Sequence, residues 1–357
     1  YEIMPSLVGS EMCIRDRPYF EGLTALIMKE PATFLAALRS GQLDYVGHIG
    51  STDTIYTAEK ENIERTNPGI VFYPWSIRSE SVFAFNMATD NPFSKDVRVR
   101  RAMQMALDLE TMNKTYCRVT SKWEPRGVVG DTIIGFYTPF EEWPEEVRKG
   151  YMYDPEGAEK LLDEAGLPRG ADGTRFKTVL NHVASAILDY SEIAASYWAE
   201  IGVDVEIEVV TNAEFQEMKG RTNEGMISSI GGSLYDPVAF VGHLRSDSTL
   251  NYWLHQWPEL DAMVDAALNA TTIEEQQRLI AEADMYMIEK HWQIWGPRSP
   301  TCMVAQPWLT GYSGEIGHWA VGDQWTTHSR LWIDSCLLYT SDAADDTPCV
   351  DLGGRRI

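Results

Sequence analysis

Long apolar runs are missing from this sequence. No stretch of about 18 apolar residues occurs, so it offers no membrane-spanning helix. No secretory-leader pattern opens the chain either. Positive charge is scarce: 30 Lys and Arg stand against 53 Asp and Glu, a formal net charge of −23. A surface of that sign repels nucleic acid and anionic lipid, so neither is expected as a partner. Cysteine is sparse, with five residues and none in a C-x-x-C or zinc-type spacing. The motifs G-x-S-x-G, H-E-x-x-H, G-x-x-x-x-G-K-[ST] and G-x-G-x-x-G are all absent, which removes the signatures of several hydrolases, zinc proteases and nucleotide binders. The seven histidines form no i, i+4 pair, so no helix-borne metal site is expected. Carboxylates are too numerous for counting to exclude a glycosidase-type pair.

What remains is globular. The chain has 357 residues, 44% of them hydrophobic and 23% charged, enough for two domains or one large split one. Its ends differ from its middle. "CIRD" (Cys13 to Asp16) can be written TGT ATA AGA GAC, and the reverse complement of that DNA lies inside a coding of "CLLYT" (Cys336 to Thr340). Two unrelated protein tails have no reason to be inverted copies of one DNA element. Both ends resemble translated sequencing adapters, so 1–17 and 336–357 are set aside as adapter-like, as tags are. The second is expected to pack against nothing. Three cysteines fall in these ends, leaving Cys117 and Cys302 as unpaired thiols; the acid excess stays nearly intact.

Between the ends, helix and strand signals alternate. A helix is expected over Ala32 to Ser40, with Ala32, Leu35, Ala36 and Arg39 on one face, stopped by Gly41. "LDYVGHI" reads as a short strand, and the run of residues 70–89 is β-rich. Asp96 is placed to cap a long helix with Val99, Ala102, Met103, Ala106 and Leu109 in one stripe. Residues 121–153 read as irregular. "YDPEGAEKLLDEAGLP" is a punctuated helix: Asp154 at the N-cap, Pro155 in the first turn, Gly166 past the end. "FKTVLNHV" reads as a strand, and 185–201 as a helix. "VDVEIEVV" alternates apolar and acidic residues, as a half-wet strand does. A strand ending in "MISSI" leads to the turn "GGSLYDP". Two helices follow, Glu259 to Asn269 and Ile273 to Lys290, and "WQIWGPRSPTCMVA" is β-like. The order is α/β.

Twelve tryptophans stand out, several beside polar residues near strand ends (Trp75, Trp253, Trp257, Trp295), where an indole packs on a ligand or on the core while its N–H stays available.

"FAFNMATDNPFSKDVRVRRAMQMALDLETMNK", "YDPEGAEKLLDEAGLP" and "ASYWAEIGVDVEIEVV" stand in this order, preceded by "AALRSGQLDYVG" and followed by "GGSLYDP" and "RLWID". In these segments the chain resembles the family 5 extracellular solute-binding proteins of ABC importers, the peptide/nickel/dipeptide-binding group. The resemblance implies an α/β, two-lobed fold of the periplasmic-binding-protein type with lobe one incomplete. Residues 18–84 would be the remainder of lobe one, 85–292 lobe two, and 293–335 the return to lobe one. It implies a protein that does no bond chemistry. It would capture a peptide or other small organic solute and deliver it to an ABC permease, acting as a monomer without cofactor or metal. Its place would be periplasmic or extracytoplasmic, lipid-anchored or soluble, the signal region belonging to a missing front part. Trp75 and Trp295 are then candidate apolar walls, Arg78 and Arg298 candidate partners for a ligand anion, and Asn86, Ser233, Tyr235 and Asn251 candidate hydrogen-bonders. One position departs from the pattern: Leu234 stands before Tyr235 where peptide-binding relatives commonly carry an acid, which shifts weight toward a sugar or other solute. The scattered histidines weigh against nickel. A carbohydrate-active hydrolase and a cytoplasmic ligand-sensing domain of a regulator remain the alternatives.

Overall fold

The computed structural model describes residues 22–24, 26, 28, 31–46, 55–74, 79–117, 124–130, 133–183, 188–218, 225–231, 241–299, 301–313 and 329–341. The chain divides into two compact units, residues 1–78 with 300–357, and residues 79–299. The strands next to the dividing points, Ser79–Phe85 and Gln293–Ser299, pair with one another inside the second unit.

In the first unit, α1 (Pro31–Arg39), β1 (Tyr45–Val46), β2 (Ile55–Tyr56), α2 (Thr57–Thr66) and β3 (Val71–Pro74) come in turn. The buried side of α1 is Phe34, Ala37 and Leu38, while Ala32 and Ala36 are exposed. This corrects the expected face: the larger apolar side chains at i and i+4 dictate which side turns inward. They pack with Val46, Ile63, Ile70 and Val304.

The second unit opens with β4 (Ser79–Phe85), α3 (Pro92–Lys95), α4 (Val97–Met105), α5 (Leu109–Met112), α6 (Glu145–Lys149) and α7 (Pro155–Glu164). It continues with β5 (Phe176–Val183), α8 (Leu188–Glu200), β6 (Val203–Val210), α9 (Asn212–Met218) and β7 (Met226–Gly231). It closes with α10 (Pro258–Leu268), α11 (Ile273–Glu289) and β8 (Gln293–Ser299). The expected long helix breaks at Asp108, whose carboxylate accepts from Thr111 N at 3.0 Å and starts α5 as a separate turn. The stretch read as irregular contains α6. Asp154 caps α7 through Gly157 N at 2.9 Å, and Gly166 sits at φ +81°, where a Cβ would be strained.

The sheet of this unit has the order β6-β5-β7-β4-β8. β5 is parallel to β6 and β7, and β4 is antiparallel to both β7 and β8. Phe83 and Phe85 lie on one face, meeting Trp198 of α8 and Phe93 of α3 with ring centroids 5.0 and 4.9 Å apart. Val82 and Ala84 lie on the other.

Back in the first unit, β9 (Thr301–Ala305) pairs with β1, β2 and β3, and β10 (Leu309–Thr310) with β11 (Trp332–Ile333). α12 (Ser335–Ser341) follows. The segment expected to pack against nothing therefore begins as a helix: Asp334 Oδ1 accepts from Cys336 N at 2.9 Å, and Cys336 and Leu338 are half-buried. Residues 342–357 lie outside the described residues.

Candidate functional site

Four of the five strands in the second sheet run one way and β4 the other, so the carboxyl ends of β5, β6, β7 and β8 gather at one end with the start of β4. Ligands of open α/β sheets lie beyond such carboxyl ends. The chain enters and leaves the unit at this end, with Ser79 opposite Ser299. "GGSLYDP" follows β7 here, and its Ser233 and Tyr235 lie outside the described residues, as do Trp75 and Arg78. Arg298 is placed in β8 opposite Glu80 by its backbone, its side chain lying outside the described set.

Asn86 and Asn251 fall at the opposite end. β4 runs against its neighbours, so its last residues emerge at the amino ends of β7 and β8. Asn86 N donates to Gly225 O, and Met87 N to Trp253 O at 2.8 Å. Asn86 Oδ1 accepts from Ala88 N in a local turn, and Asn251 Nδ2 donates to His255 O, both at 3.0 Å. The structure thus brings the loops of these two residues together, away from the carboxyl ends.

Trp295 lies within β8, opposite Val82 and 2% exposed. The Arg126 guanidinium stands over its ring, 5.1 Å from the centroid, a cation–π arrangement. Arg126 belongs to a loop fixed by a carboxylate 156 residues away: Asp284 Oδ1 of α11 accepts from Val128 N. Gly127 permits this approach, since a Cβ there would lie 2.2 Å from Asp284 Oδ1. Burial pushes the Asp284 carboxyl up to about 7, against the opposing pull of the Val128 and Val129 N–H groups and the Arg126 charge.

The alternation of β8 puts Gln293 on the same face as Trp295. It continues a row across four strands: Asn181 of β5, Ile227 of β7, Ala84 of β4, Gln293 of β8. Trp292 stands beside them, its ring 6.3 Å from that of Trp295 and 4.5 Å from that of Trp253. Several polar atoms here lack a hydrogen-bond partner: the indole nitrogens of Trp253, Trp292 and Trp295, both amide atoms of Gln293, and Asn181 Oδ1. Each of these residues is at most 8% exposed. On the other face, His182 Nδ1 and Ser191 Oγ lie 2.9 Å apart, and burial lowers the His182 pKa to about 4, leaving a neutral imidazole. Among the described residues, no group of three or more His, Cys, Asp or Glu could hold a metal ion, and no helix is long and apolar enough to cross a membrane.

Sequence reasoning missed Arg126, Gln293 and Asp284. Asp284 carried a signal: it occupies a position of the apolar stripe Ile280, Asp284, Met287 on α11, where a carboxylate needs a partner.

Known proteins place the chain. The family model "Bacterial extracellular solute-binding proteins, family 5 Middle" matches residues 14–252. The periplasmic oligopeptide-binding protein OppA of Salmonella typhimurium is 23% identical over 312 residues, covering 82% of this chain and 52% of that protein. Heme-binding protein A of Haemophilus influenzae is 24% identical over 287 residues, covering 78% and 48%. The chain thus spans about half the length of these relatives. Among solved structures, the periplasmic binding protein DppA from Helicobacter pylori in complex with peptide STSA superposes with a TM-score of 0.68 at 19% identity, covering 86% of this chain and 56% of that one. NikA from Brucella suis in complex with Fe(III)-EDTA gives 0.69 at 22% identity, covering 88% and 62%. Their two-lobed periplasmic-binding-protein fold is the fold of this chain, and by the match over 14–252 the chain belongs to the family 5 bacterial extracellular solute-binding proteins.

Proposed function

We propose that this chain is the solute-capturing component of an ABC importer, holding a peptide or other small organic solute and delivering it to a membrane permease. Membership of the family 5 solute-binding proteins carries this reading. The named relatives are binding proteins for oligopeptides or heme rather than enzymes. The protein accordingly does no bond chemistry itself. It works as a monomer in the periplasmic or extracytoplasmic space, lipid-anchored or soluble. The acidic chain, at −23, gives no support to a nucleic-acid partner. An apolar surface bearing a few fixed hydrogen-bonding groups suits desolvation of a small ligand, and the buried indoles and amides around β8 supply both.

The test is a thermal-shift screen of the chain against short peptides and oligosaccharides at saturating concentration. A ligand that binds the folded state raises the melting temperature by mass action. Stabilisation by one ligand class is expected; no shift from any would overturn the reading.

A further inference from the structure

We propose that residues 251–257 form an acid-released latch, packed beside the end of β4 while the His255 ring is neutral and set loose when that ring takes a proton. The latch is a property of the second unit and does not depend on solute capture.

His255 is 1% exposed, and neither of its ring nitrogens has a hydrogen-bond partner. Its ring lies on that of Trp257, with centroids 4.4 Å apart and planes 12° from parallel. That setting suits a neutral imidazole. An imidazolium carries two N–H donors, and burying its charge without acceptors is costly. Residues 251–257 belong to no helix or strand, so side chains and single backbone contacts hold them. Asn251 Nδ2 donates to His255 O at 3.0 Å, Trp257 N donates to Ser246 Oγ at 3.0 Å, and Trp253 O accepts from Met87 N at 2.8 Å, just past β4. Leu254 sits among them at φ +53°, in the left-handed region that strains an L side chain. Opening the loop relieves that strain, so the closed form depends on the buried stack.

The surrounding charges do not rescue an imidazolium. Asp261 of α10 is the charged side chain that acts on the ring, and its Oδ1 is engaged by Ser246 N at 2.7 Å. Arg245, on the preceding loop, is paired with Asp247 and Asp265. From α11, Tyr286 meets the Trp257 ring edge-on, with Glu259 beside it. The end of β4 brings the uncharged Asn86, Met87 and Ala88, and the start of β8 brings Trp292 against Trp253. Asp261 and the residue's own backbone draw a proton toward His255, but burial outweighs both and lowers its pKa from 6.5 to about 4. The closed loop is therefore fully favoured above pH 6.5 and loses that preference as pH falls through 4, by up to about 300-fold.

The experiment is amide hydrogen exchange on the whole chain, read segment by segment between about pH 4 and 7 and corrected for intrinsic rates. Protection of residues 251–257 is expected to fall about a hundredfold by pH 4, while the β4 amides of Val82 to Phe85 keep theirs. That internal comparison is needed because His182 and His291 are also buried with lowered pKa values, and their protonation acts on the sheet and core rather than on the loop. His255→Phe keeps a ring on Trp257 and removes the titration, so loop protection in this variant should not change with pH. If the variant misfolds, the wild-type chain decides by ¹⁵N-histidine resonances: the His255 ring should gain its proton in step with the loss of loop protection. The latch would be overturned by loop protection that stays flat to pH 4, or by a loss shared with β4. It would equally be overturned by the same fall in His255→Phe, or by a His255 ring that takes its proton while the loop stays protected.

Discussion

The side chain of Gln104 takes the place of a neighbouring strand for Trp295. Its Oε1 accepts from Trp295 N at 2.7 Å and its Nε2 donates to Trp295 O at 3.2 Å, so one buried amide satisfies both backbone groups of an edge strand. Replacing Gln104 by Leu keeps the volume and strands a buried N–H and C=O. The expected cost is about 2–4 kcal/mol of unfolding free energy, from roughly 1–3 kcal/mol per unsatisfied group. Urea titration of the two proteins measures it; a loss under about 0.5 kcal/mol would show that the pair is dispensable.

Asp284 links stability to pH. Its carboxyl sits at about 7 in the folded chain, against 3.8 for the free group, with burial as the leading cause. The folded state therefore holds this proton where the unfolded state has released it. The contribution to stability is complete below about 3.8 and is lost as pH rises toward 7. Asp284→Asn removes the titration. Plotted as wild type minus variant, stability should fall between pH 4 and 7 and then level off, by about 4 kcal/mol if the full shift is expressed. A difference that is flat across this window would refute the assignment.

Gly127 and Asp284 should be energetically coupled. Gly127→Ala drives a methyl to 2.2 Å from Asp284 Oδ1, and overpacking of that kind costs about 1–3 kcal/mol. Removing the carboxylate with Asp284→Ala relieves the clash, so the double variant should lose less than the sum of the single losses. Strict additivity in a double-mutant cycle would contradict the close approach.

Asp154→Ala tests the start of α7. The carboxylate accepts from Gly157 N at 2.9 Å, and losing such a cap costs about 1 kcal/mol. The midpoint of urea unfolding should drop, while Asp154→Ser, which keeps an acceptor, should stay close to wild type.

The elements that sequence revealed are those governed by neighbours along the chain. Asp154, Pro155 and Gly166 bound α7 by local rules, and each acts as its residue type suggests. The alternation in "VDVEIEVV" put Glu206 and Glu208 on the wet side, where both are exposed. Distant partners were not legible. Asp284 meets Val128 across 156 residues and Gln104 meets Trp295 across 191, and no local pattern encodes such meetings. The position of Asn86 was not legible either: the direction of β4, a property of the whole sheet, sends it to the end opposite Ser79. Trp295 alone, among the eight candidates, has a described side chain in the cluster around β8.

The pairing of Ser79 with Ser299 has a consequence for the modularity of the chain. The 79–299 segment starts and finishes at adjacent points, and every residue of its large apolar core lies between them. Topologically it is an insert, entered and left by the chain at neighbouring points. Such a segment meets the conditions for autonomous folding and for circular permutation: termini close together and a core of its own. Excised, or rejoined across Ser79 and Ser299 by a short linker and reopened in a surface turn, it should keep its sheet order.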